Sequence, residues 1–181
     1  MNSRRMEPIV AAALAAFVWA AFFCPWLRVE SRPANDIKKA FGIRGESEMV
    51  RVSGYDIPEM ANAKGSRVAS AVGQLFSSDA KDVGKRSYRV WILPILASLL
   101  AVLTWLSVTR RRVALTIAVV GAAVFGLGTY KILAADLDGV LFVVHVASGL
   151  WLTLVAYLAM GLLNFRLFIL ANESRQGQSH L

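Results

Sequence analysis

The chain has 181 residues, 56% of them hydrophobic, with a mean hydropathy of +0.53 and a formal net charge of +8 from 20 Lys+Arg against 12 Asp+Glu. The apolar residues are massed in four runs instead of dispersed at helix or strand period, and so short a chain cannot cover four such helices in a soluble core. The basic balance lacks a stripe of cations interleaved with aromatics. That excludes nucleic acid as a partner and leaves topogenic charge and attraction to anionic headgroups.

In chain order, a basic start, "MNSRRME", precedes residues 8–27, which carry no charge over 20 residues. A hydrocarbon core of about 30 Å needs about 20 apolar residues of helix, so this run is the first predicted span. A cleaved signal peptide is the alternative, with a V-x-S site at residues 29–31. The run is longer than a usual signal core, and Trp26 followed by Arg28 reads as an interfacial anchor, which favours a retained span. Cys24 stands alone in the chain, without CxxC or CxxCH, so no internal disulfide or cysteine-held metal or haem is expected.

Residues 29–88 form the predicted module between spans one and two. "MVRVSGYDI" alternates at period two and predicts a strand, with a turn or bulge at Ser53 and Gly54 followed by Tyr55 and Asp56. Asp56, Pro58 and Glu59 resemble a helix start. Met60, Val68, Ala71, Val72, Leu75 and Phe76 then fall mostly on one helical face. "WLRVES" and "SYRVW" are expected to add short strands. About 60 residues without a disulfide are marginal alone, so the module is expected to rest on the span ends or on a partner.

The second predicted span is residues 90–109, with Pro94 near its start. Arg110, Arg111 and Arg112 separate it from the third, residues 113–130, which carries Ala118, Ala122 and Gly126 at four-residue spacing. Lys131 follows and reads as a snorkelling anchor. The connection "AADLDG" holds Asp136 and Asp138 and no cation. The fourth span is read as residues 139–165, with His145, Gly149 and Thr153 again four apart and Asn164 near its end. Lys131, His145 and Asn164 are the candidate intramembrane polar residues, because polar groups in lipid are costly and functional by default. Ala118, Ala122, Gly126 and Gly149 are the candidate helix-packing residues, since small side chains let helix backbones approach closely.

Short segments set the orientation. The basic N-terminus, the arginine triplet and the tail with Arg166 and Arg175 all satisfy the positive-inside rule if they are cytoplasmic. The long first connection, residues 28–89, holds 12 Lys+Arg and 8 Asp+Glu and opposes this. Connections of about 60 residues translocate largely regardless of charge, so the short segments decide. The expected organisation is a cytoplasmic N-terminus and first span over 1–28, an extracytoplasmic module over 29–88, a bundle of spans two to four over 89–170 and a cytoplasmic tail over 171–181. The fold class is an all-α membrane protein, a four-helix bundle with a small α+β module between helices one and two.

A long first outer loop, a short cytoplasmic turn and a short second outer loop resemble the layout of claudin-like tetraspan proteins. Their Trp, Gly-Leu-Trp and cysteine-pair signature is missing from the first loop, and the Gly-Leu-Trp at residues 149–151 falls in span four. "CPWLRVES" and "VSGYDIPE" resemble a loose pattern in small uncharacterised bacterial four-span inner-membrane proteins, where Pro-Trp ends span one and a turn of Ser-Gly, an aromatic or aliphatic residue, and Asp lies in the outer loop. That resemblance covers two short motifs and implies location in a bacterial inner membrane but no activity.

No residue set for nucleophilic, metal or phosphate-loop chemistry stands in the sequence, so a non-enzyme without a cofactor is expected. A lipid-modifying enzyme using Asp56, Glu59 and Lys64 is the remote alternative. The leading expectation is a scaffold or accessory subunit of an inner-membrane complex. Its partners would be lipids and other membrane subunits or further copies of itself. The runner-up is a small oligomeric channel or transporter component in which Lys131 and His145 line a polar vestibule.

Overall fold

The computed structural model describes residues 3–31, 49–62, 88–107, 110–134 and 142–176. Its elements in chain order are α1 (Ser3–Phe23), β1 (Pro25–Ser31), β2 (Met49–Ser53), the short α2 (Asp56–Asn62), a 3-10 turn (Tyr88–Trp91), α3 (Ile92–Ser107), α4 (Arg111–Ala134), β3 (Phe142–Val146) and α5 (Ser148–Gln176). Four helical stretches are long and apolar enough to cross a membrane: Met6–Phe23, Tyr88–Ser107, Arg111–Ala134 and Ser148–Ala171. The chain divides into two compact units.

The first unit is helical and comprises Met1–Ala20, Leu93–Tyr130 and Leu152–Leu181. Its core is drawn from one stripe of each helix: Ala11, Ala15 and Val18 of α1, Ala97, Leu100 and Ala101 of α3, Ile117 of α4, and Ala156, Tyr157 and Met160 of α5. These positions recur at three and four residues, the spacing that keeps side chains on one helical face. Between apolar helices in lipid, attraction rests on close packing and hydrogen bonds, so small residues gather at the contacts. A close backbone contact joins α4 to α5. A Cβ on Gly121 would lie 2.7 Å from the Tyr157 carbonyl oxygen and 3.0 Å from the Gly161 Cα. Trp19 Nε1 donates to Ser98 Oγ at 3.0 Å, and the Tyr157 hydroxyl donates to the Leu93 carbonyl.

The arginine triplet turns the chain as expected. Arg110 N donates to the carbonyls of Leu106 and Ser107, both at 3.2 Å, closing α3. The Arg110 carbonyl accepts from Val113 N at 3.0 Å and Ala114 N at 3.3 Å, opening α4.

The second unit comprises Ala21–Ile92 and Lys131–Trp151. It holds a three-stranded sheet in the order β2-β1-β3, with β1 antiparallel to both neighbours. The strand expected within "MVRVSGYDI" is β2, and "PWLRVES" is β1. "YRVW" forms a 3-10 turn and not a strand. The sheet is not confined to the segment between the first two long helices, because β3 comes from the connection before the last one. The last helix therefore begins at Ser148, not at residue 139. The helix expected over residues 60–77 lies outside the described residues beyond Asn62, as do Asp136 and Asp138.

Candidate functional site

The sheet unit is organised around Trp26. In the pairing of β1 with β2, Pro25 faces Ser53 and Leu27 faces Val52, so Trp26 is the extra residue of a bulge. The bulge turns the indole inward, where it is fully buried. Its Nε1 donates to the Ala21 carbonyl at 2.9 Å. That carbonyl is among the last of α1 and also accepts from Cys24 N at 3.2 Å, so the indole adds a second donor at the helix end. The Trp26 carbonyl accepts from Ala147 N at 2.7 Å, joining the bulge to the residue after β3.

Two glycines make room for the indole. A Cβ on Gly54 would lie 2.7 and 2.8 Å from ring carbons of Phe22 and 2.9 Å from Trp26. A Cβ on Gly149 would lie 2.7 Å from the Pro25 carbonyl oxygen, 2.8 Å from Trp26 Cδ1 and 3.0 Å from the Cys24 Cβ. Phe22 meets Trp26 edge-on at 5.6 Å and Trp91 at 4.9 Å between centroids. Tyr55 meets Phe23 at 5.7 Å and Trp91 at 5.8 Å. The result is an aromatic knot with Trp26 and Phe22 buried and Phe23 and Tyr55 exposed at its edge.

The expected turn is present and carries a reciprocal cap. Ser53 N and Ser53 Oγ donate to Asp56 Oδ2 at 3.0 and 2.7 Å, and Asp56 N donates back to Ser53 Oγ at 3.3 Å. This is the logic of a capping box, with a serine at the cap and an acid three residues on. The sequence expectation paired Asp56 with Glu59. The structure sets the cap one turn earlier, and Asp56 is its third residue.

The candidate intramembrane polar residues part company. His145 is on β3, directly opposite Arg28 of β1, and is exposed; it is not inside a span. Lys131 is exposed in the last turn of α4. Asn164 alone is fully buried in the helical unit. Its Nδ2 donates to Thr104 Oγ1 at 3.2 Å and to the Met160 carbonyl at 3.0 Å, and its Oδ1 accepts from Ser107 Oγ at 3.2 Å. Thr104 Oγ1 donates to the Leu100 carbonyl at 2.9 Å, and the single hydrogen of Ser107 Oγ is shared between Asn164 Oδ1 and the Thr104 carbonyl, the latter at 2.7 Å. Thr104 and Ser107 are not among the sequence candidates, and their three-residue spacing on one face of α3 is the signal for them. Glu7, 5% exposed on the α1 stripe that continues into Ala11, is not among those candidates either. Its Oε2 has no hydrogen-bond partner among the described residues.

The expected packing residues divide in the same way. Ala118 is buried, and Gly149 serves the Trp26 knot. Ala122 is exposed, and a Cβ on Gly126 would meet nothing within 4 Å. The α4 backbone meets α5 at Gly121 and Gly161: a Cβ on Gly161 would lie 3.2 Å from the Ala118 carbonyl oxygen and 3.4 Å from Ala122 N. Arg111 stacks its guanidinium 4.4 Å from the Phe168 ring centroid, a cation–π contact at the start of α4. Arg110 and Arg112 are exposed. Trp151, read as part of a fourth span beginning at residue 139, lies in the first turn of α5 because the helix starts at Ser148.

Among the described residues no group of three His, Cys, Asp or Glu side chains is placed to hold a metal ion. Comparison with models of known protein families, with curated proteins and with solved structures gives no match.

Proposed function

We propose that the protein is a non-enzymatic scaffold or accessory subunit of a bacterial inner-membrane complex, with both termini and the arginine triplet on the cytoplasmic side and the sheet unit outside. The observation that carries this reading is the uncovered face of α4. Only 22% of its apolar window is buried, against 39% for each of the other three. Ala122, Ala123 and Gly126 lie on that face, and the space beside Gly126 is open. Lipid chains cover any apolar helix, but small residues on an outward face favour a second helix, because they let two backbones approach closely. The helical unit therefore supplies a packed body and one helix left available to a neighbouring subunit or a second copy. The sheet unit, built on buried aromatics and a capped turn, supplies a shaped surface for a partner outside.

The test separates docking from folding. Gly126→Leu should leave expression and monomer stability unchanged, since a Cβ at that position meets nothing within 4 Å among the described residues. It should abolish co-purification of the partner chain, or self-association, in mild detergent. A chain that migrates as a lone monomer before substitution, or an assembly that survives Gly126→Leu, contradicts the reading.

A further inference from the structure

We propose that the exposed face of the sheet binds a phosphate monoester through the row Arg51–Arg28–His145. In the register of the sheet, Arg28 is the direct partner of Arg51 on one side and of His145 on the other. Directly opposed residues of antiparallel strands share a face, with Cβ atoms about 5 Å apart. Two guanidinium groups and an imidazole thus form one strip about 10 Å long. All three residues are exposed, while the adjacent row turns inward: Leu27 and Val52 are 2% and 0% exposed.

Like charges directly opposed across strands cost stability. Among the described residues no hydrogen bond or ion pair to a carboxylate offsets the row. Glu30, two positions along β1, is paired in the register with Met49 and Val143, not with either arginine. The repulsion is the kind that an arriving anion removes. A carboxylate offers two oxygens and one charge, enough for one guanidinium fork. A phosphate monoester offers three terminal oxygens and about 1.5 to 2 charges, which two forks and an imidazole engage together. Arg28 is five residues beyond Phe23, the last residue of α1, and so within about 17 Å of chain from the helix end. A monoester on a lipid headgroup and one free in solution are both within reach, and their recognition chemistry is the same. This site stands on the register alone and does not depend on the scaffold reading.

The test uses the full chain. Binding of inorganic phosphate is measured by calorimetry on protein in phosphatidylcholine nanodiscs. Retention of phosphatidic acid over phosphatidylcholine is measured by native mass spectrometry in detergent. At least one ligand is expected to bind, with affinity lowered about tenfold or more by Arg28→Gln with Arg51→Gln. His145→Gln should weaken it less, and Lys131→Gln should leave it unchanged. Replacing both arginines by lysine keeps charge but removes the fork, and should give an intermediate loss. Phosphatidic acid retention without phosphate binding assigns a lipid source; phosphate binding without lipid preference assigns a soluble one. A melt followed at Cys24 confirms that the variants fold. The proposal is overturned if neither ligand binds above the phosphatidylcholine background. It is equally overturned if binding survives the double glutamine change in folded protein, or falls as much with Lys131→Gln.

Discussion

Gly54→Ala is expected to loosen the sheet unit although it adds one methyl group. The new Cβ would sit 2.7 and 2.8 Å from Phe22 ring carbons and 2.9 Å from Trp26. Carbon atoms rest at about 3.5–4.0 Å, so each ring must retreat by nearly an ångström. Phe22 cannot retreat freely, because Trp91 and Trp26 lie against it at centroid distances of 4.9 and 5.6 Å. Trp26 cannot either, since it holds the Ala21 carbonyl on one side and touches Gly149 on the other. Overpacking of this kind costs about 1–3 kcal/mol. Reduced freedom of the unfolded chain returns about 0.4–1 kcal/mol. The balance is a loss of about 1–2 kcal/mol, and a melting temperature lower by about 2–8 °C. Cys24, the only cysteine of the chain, is half-buried beside Gly149 in the same knot, so a thiol-reactive dye melt reads this unit directly. Trimming Trp26 to Leu destabilises by itself but should remove part of the Gly54→Ala penalty, a coupling of about 0.5–3 kcal/mol. A melt unchanged or raised by Gly54→Ala, or strict additivity with Trp26→Leu, refutes the packing described for the knot.

Four further substitutions test the helical unit. Gly121→Ala places a methyl 2.7 Å from a backbone carbonyl, so α4 and α5 must separate, and a loss of about 1–3 kcal/mol is expected in detergent unfolding; Gly126→Ala should be neutral or stabilising by up to about 1 kcal/mol. Asn164→Ala removes hydrogen bonds to Thr104, Ser107 and the Met160 carbonyl and opens a cavity, at an expected cost of about 1–3 kcal/mol; an unchanged melt would mean that the network contributes nothing. Glu7→Leu replaces a buried carboxyl whose Oε2 is unpartnered among the described residues, and the melting temperature should rise; a fall would show that the carboxyl has a stabilising contact.

The long helices were legible because a bilayer-length apolar run is itself the signal. The start of α5 was not. Residues 139–165 are uncharged throughout, and apolarity does not separate a strand from a helix. The clue lay in residue type: Phe142, Val143, Val144 and Val146 are strand formers, whereas the residues after Ser148 are mostly Leu, Ala, Gly and Met. At 1.5 Å per residue a 27-residue helix also overshoots the hydrocarbon core by about 10 Å. That excess belongs to β3, which sets His145 opposite Arg28 and outside the helix. The orientation of α4 was illegible for a different reason. Both faces of the helix are apolar, so a four-residue row of Ala118, Ala122 and Gly126 marks a stripe without saying which stripe faces inward. The answer depends on Gly161 and Tyr157, which are on another helix. The turn at Ser53 and Gly54 was legible from residue type, but its cap was not: Asp56 has Ser53 three residues before it and Glu59 three residues after it, and only the fold selects Ser53 over Glu59. Trp26 was placed at an interface because its burial depends on two glycines distant in sequence, Gly54 and Gly149.

Accessibility of single cysteines in intact cells tests the account most directly, with Cys24 changed to Ser. Tyr55→Cys should react with a membrane-impermeant maleimide added outside, and Arg111→Cys should react only after permeabilisation. Labelling of position 111 in intact cells, or protection of position 55 until the membrane is opened, would contradict the four-crossing arrangement with the arginine triplet inside.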